Sequence, residues 1–261
     1  METLTPKLIL VPTDFSAPAA HALRYAAALG ARFGAHLLVV YADTFIPPVD
    51  FTISAAGAFD LPRERLIETA REQLQTFAET NIGASMPYDV SVAVANPADA
   101  IIAQARESGA NLIVMGTHGR SGLRRLLFGS VTEAVMRVAS VPVIAVHETT
   151  PEAALVNLIV GNRSTPEGRA AVDYAGVLAN AGNEGLVEVP EGADPIETAH
   201  RVGADLIALG ISSERHHEER VVQHSDCAVL VVNSLTARAL NARELATERR
   251  AERPPLASTI S

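Results

Sequence analysis

Short apolar runs alternate with amphipathic stretches through the first 147 residues of the chain. The runs occupy residues 8–11, 36–41, 90–94, 112–115 and 141–146. Continuous apolar runs bounded by turn residues indicate strands that are buried on both faces, as in parallel sheets. Between them, apolar residues recur at helical spacing in residues 19–30, 66–78, 97–108 and 130–139. The pattern predicts five strands alternating with four helices, an open, doubly wound parallel sheet of the α/β class.

The same pattern returns in shortened form in the second half. Residues 156–165 match residues 7–16 at a constant offset that also places Tyr174 on Tyr25, while 203–210 match 109–116 and 225–233 match 139–147. Three ordered matches predict a tandem duplication. We expect domains at 1–149 and 153–234, the second truncated and lacking a counterpart of residues 43–80 and of one strand. Residues 235–261 are expected to form a charged helix with a disordered end, more solvated than docked.

Composition narrows the class of protein. The 261 residues carry a formal net charge of −9, which argues against general nucleic-acid binding. One cysteine excludes an intrachain disulfide, and no apolar stretch reaches the length that a membrane span needs. The chain also passes from Met1 into a strand-like run without a signal-type leader. We therefore expect a soluble cytoplasmic protein that contacts neither nucleic acid nor membrane.

The glycines of residues 111–132 suggest an anion site. Gly116 ends an apolar strand, Gly119 follows three residues later, and Gly129-Ser130 opens the next helix. Glycines let a ligand approach the backbone closely, and a helix amino terminus offers unpaired amides to phosphate. Arg120, Arg124 and Arg125 lie between these glycines and could add charge-assisted contacts, or they could be plain solvated charges. On this stretch alone, an ordinary glycine-rich turn is an equally good explanation.

A second polar strand exit accompanies the glycines. Pro12-Thr13-Asp14 ends the first strand, and Ser16 is placed to cap the following helix. Asp14 could assist that cap, but because Ser16 already provides one, we favour a ligand contact for the carboxylate. Ligands in such sheets bind at the carboxyl ends of strands where the strand order reverses. The exits at Pro12, Tyr41 and Gly116 can therefore share one crevice.

The combination of these motifs resembles a known family. Pro12-Thr13-Asp14-Phe15-Ser16, together with the spacing of Gly116, Gly119 and Gly129-Ser130, resembles the nucleotide-binding branch of the universal stress protein family. The resemblance covers residues 7–147 closely and 156–233 as a degenerate repeat. It implies an adenine nucleotide alpha hydrolase-like fold in which edge strands pair between domains. Residues 141–146 and 228–232 would then pair within this chain as an internal pseudo-dimer.

The resemblance also implies a site for ATP with Mg²⁺ or Mn²⁺ held on the phosphates. Asp14 would contact the adenine, and Pro12, Thr13 and Tyr41 would line the base pocket, although the family usually has an aliphatic residue where this chain has Tyr41. Met115 and Gly116 would flank the ribose. The phosphates would be surrounded by His118, Gly119, Arg120, Gly129, Ser130, Val131 and Thr132. In the second half Ser213 replaces Gly119 and the following loop is eight residues shorter, so we expect one site per chain.

Three functions remain open. The first is a non-enzymatic, ATP-binding regulatory module of the stress response, since no evident general base or nucleophile accompanies the site. The second is a slow ATPase or self-phosphorylating switch that uses Ser121, Ser130 or Thr132, and the third is a scaffold that binds no nucleotide. The signatures of the related ATP pyrophosphatases and synthetases are missing. We also expect an unidentified protein partner and a homo-oligomer, a dimer of internal pseudo-dimers.

A second cluster of polar residues has a less specific pattern. Its candidate metal ligands are His216, His217, His224 and Cys227. Their spacing matches no established metal motif, and Cys227 aligns with the core residue Val141. A solvated helix followed by a buried thiol is the better interpretation.

Overall fold

A computed structural model describes residues 4–44, 63–83, 86–117, 129–151, 157–179, 185–190, 192–212 and 217–251. The first half follows the predicted order of five strands and four helices. Its elements are β1 (Leu8–Thr13), α1 (Ala17–Phe33), β2 (His36–Ala42), α2 (Arg63–Asn81), β3 (Tyr88–Ala93), α3 (Pro97–Ser108), β4 (Leu112–Gly116), α4 (Ser130–Val138) and β5 (Val143–Val146). The long connection predicted for residues 43–61 lies almost wholly outside the described residues.

The second half is shorter. Its elements are β6 (Ile159–Gly161), α5 (Pro166–Leu178), β7 (Leu186–Glu188), α6 (Pro195–Val202), β8 (Leu206–Ile211), α7 (His217–His224), β9 (Ala228–Asn233) and α8 (Ser234–Ala251). Residues 189–194 alone separate β7 from α6. That leaves no room for counterparts of α2 and β3, as the sequence predicts.

Local signals set the helix boundaries in both halves. The Ser16 side chain accepts a hydrogen bond from the Ala19 amide at the start of α1. Gly34 ends that helix in the left-handed region at φ 64°, where glycine pays no Cβ penalty. In the second half, Thr165 caps α5 by accepting from the Gly168 amide. Caps of this kind place the amino ends of α1 and α5 directly after the first strand of each half.

The nine strands within the described residues belong to one sheet, in the order β3-β2-β1-β4-β5-β9-β8-β6-β7. Every neighbouring pair is parallel except β5 and β9, which run antiparallel with Val143 opposite Val231 and Ala145 opposite Val229. The predicted pairing of the two edge strands is therefore confirmed. Because β9 occupies that edge of β5, a homodimer would need another surface, and the homo-oligomer stays a prediction.

Helices cover both faces of the sheet. One continuous apolar cluster joins the sheet to α1, α2, α5 and α8, and a second joins it to α3, α4, α6 and α7. Each cluster contains residues from both halves. The chain thus buries two layers of side chains against a single sheet rather than forming two separate cores.

The repeat offset proposed from sequence is one residue out in the first strand. Ile9 of β1 pairs with Leu112 of β4, whereas Ile159 of β6 pairs with Leu206, the counterpart of Leu112. Ile159 therefore corresponds to Ile9 and not to Leu10. The helices that follow keep the proposed offset, since Thr165 caps α5 as Ser16 caps α1. The connection from β6 to α5 is accordingly one residue shorter than that from β1 to α1.

The carboxy-terminal helix is packed, contrary to the expectation of a solvated tail. Thr236, Ala237 and Leu240 of α8 are buried, and the helix lies against α5. A charged helix reaching about residue 250 is confirmed by α8. Residues 252–261, for which we expect disorder, lie outside the described part of the chain.

Candidate functional site

The sheet opens between β1 and β4, where the strand order reverses. β1 pairs with β4 as far as Leu10–Ile113, whereas its pairing with β2 continues to Thr13–Tyr41. Beyond Leu10 the carboxyl ends of β1 and β4 are thus not bridged to one another. The strand is also longer than predicted, because it continues through Pro12 to Thr13. This is the switch point at which open α/β sheets bind ligands.

A cleft of about 240 Å³ lies at this opening, just below the roughly 300–1,000 Å³ of ligand pockets in general. Its walls are mostly apolar, and Asp14 is the one charged residue among those that the structure describes there. The cleft is lined by Pro12, Thr13, Asp14, Ala19, Val40, Ala42, Pro97, Ile101, Met115, Gly116, Gly129, Ser130, Val131 and Thr132.

Asp14 both lines the cleft and supports the start of α1. Its Oδ1 accepts hydrogen bonds from the Ser16 amide at 3.0 Å and from the Ser16 hydroxyl at 2.5 Å. The intervening Phe15 has a φ of 65°, the left-handed region that a bulky residue seldom adopts. The two roles weighed for Asp14 are therefore compatible, since the same carboxylate steadies the helix cap and faces the cleft.

The amino end of α4 forms the opposite wall. Gly129 occupies the cap position, and within the described residues no side chain caps this helix. The first amides of α4 therefore lack the side-chain acceptor that α1 and α5 have. The Gly129 amide donates to the Thr117 carbonyl at 3.1 Å, and the Thr132 hydroxyl donates to the Gly116 carbonyl at 3.0 Å. These two bonds fix the uncapped end of α4 against the exit of β4.

The structure brings most of the predicted residues together. Nine of them line the cleft, namely Pro12, Thr13, Asp14, Met115, Gly116, Gly129, Ser130, Val131 and Thr132. Thr132 is 4% exposed and its hydroxyl is already bonded, so this side chain braces the site. His118, Gly119 and Arg120 lie outside the described residues, as do Ser121, Arg124 and Arg125.

Tyr41 is a correction to the predicted base pocket. Its side chain belongs to the opposite face of the sheet, where the ring packs on Phe15 with centroids 4.7 Å apart and the hydroxyl donates to Asp43. The neighbouring residues Val40 and Ala42 line the cleft instead. Successive side chains of a strand point to opposite faces. Since Pro12 pairs with Val40, and Thr13 with Tyr41, Val40 shares the face of Pro12.

The prediction also missed cleft residues that lie far apart in the chain. These are Ala19, Val40, Ala42, Pro97 and Ile101. Strand alternation could have identified Val40 and Ala42. Pro97 and Ile101 belong to the first turns of α3, which follows the strand next to β2. Their contribution depends on how α3 crosses the sheet, for which the sequence carries no local signal.

The described walls of the cleft offer a ligand three kinds of contact. An apolar wall suits a flat heterocycle, a carboxylate suits amino or hydroxyl groups, and an uncapped helix amino terminus suits an anion. No basic side chain is among the described lining residues. Within the described residues, an anion bound in the cleft would therefore be met by the first amides of α4.

The second half is packed more tightly at the equivalent strand exit. A Cβ atom on Gly210, the counterpart of Gly116, would lie 2.2 Å from the Gly168 amide nitrogen, so α5 rests directly on the exit of β8. At Gly116 the nearest such atom, the Pro18 carbonyl oxygen, is 3.1 Å away. Arg163 forms ion pairs with Asp173 at 2.7 Å and Glu188 at 3.5 Å. In the second half, this region is therefore occupied by packing contacts and ion pairs.

The histidine-rich segment near α7 has no metal-site geometry in the described part of the chain, where no group of three potential ligands converges. Cys227 is buried, and its amide donates to the Ser225 hydroxyl. Burial raises the pKa of the Cys227 thiol. His216 lies outside the described residues, and for His217 only the backbone is described. None of the helices described is long and apolar enough to span a membrane.

Comparison with known proteins agrees with this architecture. The sequence model of the universal stress protein family matches residues 6–147. Universal stress protein MJ0531 of Methanocaldococcus jannaschii is 32% identical over 146 residues, covering 56% of this chain and 85% of that protein. Universal stress protein MJ0577 of the same organism is 26% identical over 152 residues, covering 54% of this chain and 94% of its own length.

A solved structure extends the likeness across both halves. A universal stress protein from Archaeoglobus fulgidus aligns with a TM-score of 0.60 and 16% identity, covering 87% of this chain and 98% of that one. At this identity the likeness concerns the fold alone. The family match covers more than half of the sequence, and it includes both strand exits of the cleft. The chain therefore belongs to the universal stress protein family.

Proposed function

We propose that this protein binds ATP, or another adenine nucleotide, in the cleft between β1 and β4 and acts in the stress response as a nucleotide-dependent regulatory module. The observation that carries the proposal is that Asp14 and the amino end of α4, which has no side-chain cap among the described residues, line the same apolar cleft. An apolar pocket with a few convergent polar groups at a switch point is the typical ligand site of this fold class.

Each wall of the cleft has a separate task. Val40, Ala42 and Ile101 would cover the faces of the adenine and exclude water from it. Asp14 is already oriented by its bonds to Ser16, so it can accept from the nucleoside without further ordering. The amides that begin α4 would receive a phosphate, helped by the positive end of the helix dipole.

Mg²⁺ or Mn²⁺ would bind mainly to the phosphate oxygens and offset their charge. A cation held largely by the nucleotide needs no dedicated cage of protein ligands. This fits a cleft lined by a single acidic side chain.

Calorimetric titration of the full chain with ATP, ADP and AMP, with and without Mg²⁺, tests the proposal. Asp14→Asn removes the charge but keeps an oxygen for Ser16, and Ala42→Phe fills the apolar wall. We expect Asp14→Asn to weaken binding about tenfold or more, the size of one hydrogen bond to a charged group, and Ala42→Phe to abolish it. Ala42→Phe is matched by Ala242→Phe on the exposed side of α8, which should bind as the unmodified chain does.

The same samples separate the remaining functions. Phosphate release well above that of a Gly119→Glu variant would indicate an ATPase, and phosphate incorporated into protein would indicate a self-phosphorylating switch. Ser130 is exposed at the start of α4 whereas Thr132 is buried, so incorporation is expected at Ser130 if it occurs. Absence of binding by the unmodified chain, together with no nucleotide released on heat extraction, would leave the scaffold function.

A further inference from the structure

His147 links the second half of the chain to the exit of β4, next to the cleft. It directly follows β5, and its Nε2 contacts the carbonyl oxygen of Val222 in α7. Its Nδ1 lies 3.5 Å from the Thr117 hydroxyl. Thr117 is 1% exposed and directly follows β4. One imidazole thus touches a helix of the second half and a strand exit of the first.

The partners fix how this histidine donates and accepts. A carbonyl oxygen only accepts, so the ring proton belongs on Nε2 and the bond runs from Nε2–H to Val222. Nδ1 is then an acceptor, and the Thr117 hydroxyl donates to it. At 3.5 Å this second bond is long. The bond is therefore weak, and its main effect is to orient the Thr117 side chain.

Thr117 in turn holds the start of α4. Its carbonyl accepts from the Gly129 amide at 3.1 Å, which joins the two residues that flank 118–128. Its own amide donates to the Val146 carbonyl at 3.2 Å, next to His147. A path of hydrogen bonds therefore runs from Val222 through His147 and Thr117 to Gly129, the cap position of the helix that lines the cleft.

The repeat supplies an internal comparison for this contact. Asn233 is the last residue of β9 and His147 the first residue after β5, at equivalent positions of the repeat. The Asn233 Nδ2 donates to the Met136 carbonyl at 2.8 Å and to the Ala139 carbonyl at 2.9 Å. Met136 is the repeat equivalent of Val222. Each half therefore supplies one side chain that binds carbonyls at the carboxyl end of the other half's helix. Asparagine is sufficient for that task, whereas histidine has a second nitrogen that reaches Thr117.

We propose that His147 is a positioning residue through which the second half holds the Thr117–Gly129 closure, and with it the amino end of α4, in the shape that receives the nucleotide. The inference rests on the proposed function of the cleft. It gives the second half a role in a site to which it contributes no lining residue in the described structure. The carboxyl end of α4 is held by the second half as well, since Thr236 donates to Ala139.

His147→Asn isolates this role. By analogy with Asn233, the asparagine keeps the bond to the Val222 carbonyl but has no atom for Thr117. We expect nucleotide affinity to fall about twofold, at the low end of the effect of one neutral hydrogen bond because the contact with Thr117 is long, with the urea midpoint nearly unchanged. Hydrogen exchange of the Gly129 amide, followed by NMR without nucleotide, should accelerate by a similar factor. His36→Asn is the control, because His36 contacts Asp89 across β2 and β3, three strands away from β5.

Thr117 provides the second arm of the test. Thr117→Val should reproduce both effects of His147→Asn. Thr117→Ser keeps the hydroxyl, so its nucleotide affinity and Gly129 exchange should match those of the unmodified chain. Unchanged Gly129 exchange in His147→Asn would overturn the inference, whether or not nucleotide binds. If the unmodified chain binds no nucleotide but Gly129 exchange accelerates in His147→Asn, the positioning role of His147 is supported and the proposed ligand is wrong. If His147→Asn lowers the free energy of unfolding by as much as it weakens the free energy of nucleotide binding, the histidine is merely structural and the inference is wrong.

Discussion

Ile144 of β5 lies directly opposite Leu230 of β9, and the two residues occupy the same position of the repeated sequence. The flanking pairs, Val143 with Val231 and Ala145 with Val229, exchange the same two repeat positions. The antiparallel junction is therefore centred on a local twofold relation between the halves. Ile144 and Leu230 are both 0% exposed in the cluster that contains α1 and α5. This pair should hold the two halves together.

Truncating either member of the pair should destabilise the whole chain. Ile144→Ala and Leu230→Ala are each expected to lower the free energy of unfolding by about 2–5 kcal/mol, through lost burial and the cavity left behind. The double variant should lose less than the sum, by about 0.5–3 kcal/mol, because the two side chains are neighbours. Urea unfolding followed by circular dichroism suits this chain, which has no tryptophan.

The control for this pair is Val138→Ala, at a residue that is 47% exposed. It should change stability by no more than about 0.5 kcal/mol. Two separate unfolding transitions, of which each variant shifts one, would contradict the conclusion that the halves share a core.

Gly116 and Gly210 offer a second matched comparison. A Cβ at Gly116 would meet the Pro18 carbonyl at 3.1 Å, which a small shift can relieve, whereas at Gly210 it would meet α5 backbone at 2.2 Å. We expect Gly116→Ala to cost about 1 kcal/mol and Gly210→Ala about 3 kcal/mol or more, since overpacking against backbone has little room to relax. Urea midpoints measure both. A larger loss of stability for Gly116→Ala than for Gly210→Ala would show that α5 does not pack tightly on the exit of β8.

Phe15 should invert the usual ranking of alanine and glycine. Its φ of 65° costs an ordinary residue roughly 1–2 kcal/mol but costs glycine little. Both Phe15→Ala and Phe15→Gly lose the ring contacts with Tyr41 and Phe77. We therefore expect Phe15→Gly to be the more stable variant by about 1 kcal/mol. At Phe77, inside α2, alanine should be better than glycine by about the same amount, and equal ranking at both sites would exclude backbone strain at Phe15.

Stability should decline in alkaline solution because of buried acidic protons. Burial raises the pKa of Tyr25 and Tyr174 above their usual value, and that of the Cys227 thiol likewise. The folded chain then holds protons that the unfolded chain releases above about pH 8.5 for cysteine and about pH 10 for tyrosine. Stability is complete below those values and falls as pH rises.

The measurement is the urea midpoint at a series of pH values from about 8 to about 11, a range that spans the two titrations. Tyr174→Phe loses the bond to the Asn111 carbonyl, so it should be less stable at neutral pH yet less sensitive to alkali. Cys227→Ala should flatten the part of the curve at lower pH. If the urea midpoint of both variants falls with pH as steeply as that of the unmodified chain, Tyr174 and Cys227 are excluded as the cause.

Local chemistry made some elements predictable from the sequence. The predicted bounds of α3, Pro97–Ser108, are confirmed, because Asn96 caps the helix and Gly109 ends it in the left-handed region. The uncapped glycine before α4 was likewise visible in the order Gly129-Ser130. In each case the signal lies within a few residues of the feature that it determines.

Features that depend on strand register were not predictable in the same way. A shift of one residue along a strand moves its side chains to the opposite face. Tyr41 lies on the face opposite the cleft whereas its neighbour Val40 lines it, and Ile159 corresponds to Ile9 where the sequence repeat predicts Leu10. The contact between His147 and Val222 joins residues 75 positions apart. No local pattern encodes such a contact.

The antiparallel junction between β5 and β9 also changes how the protein responds to dilution. A junction between separate chains forms and dissolves with their concentration. Here one polypeptide carries both strands, so each meets the other at an effective concentration of about millimolar or more. The junction between the two halves therefore needs no association of separate chains, and it persists at very low protein concentration.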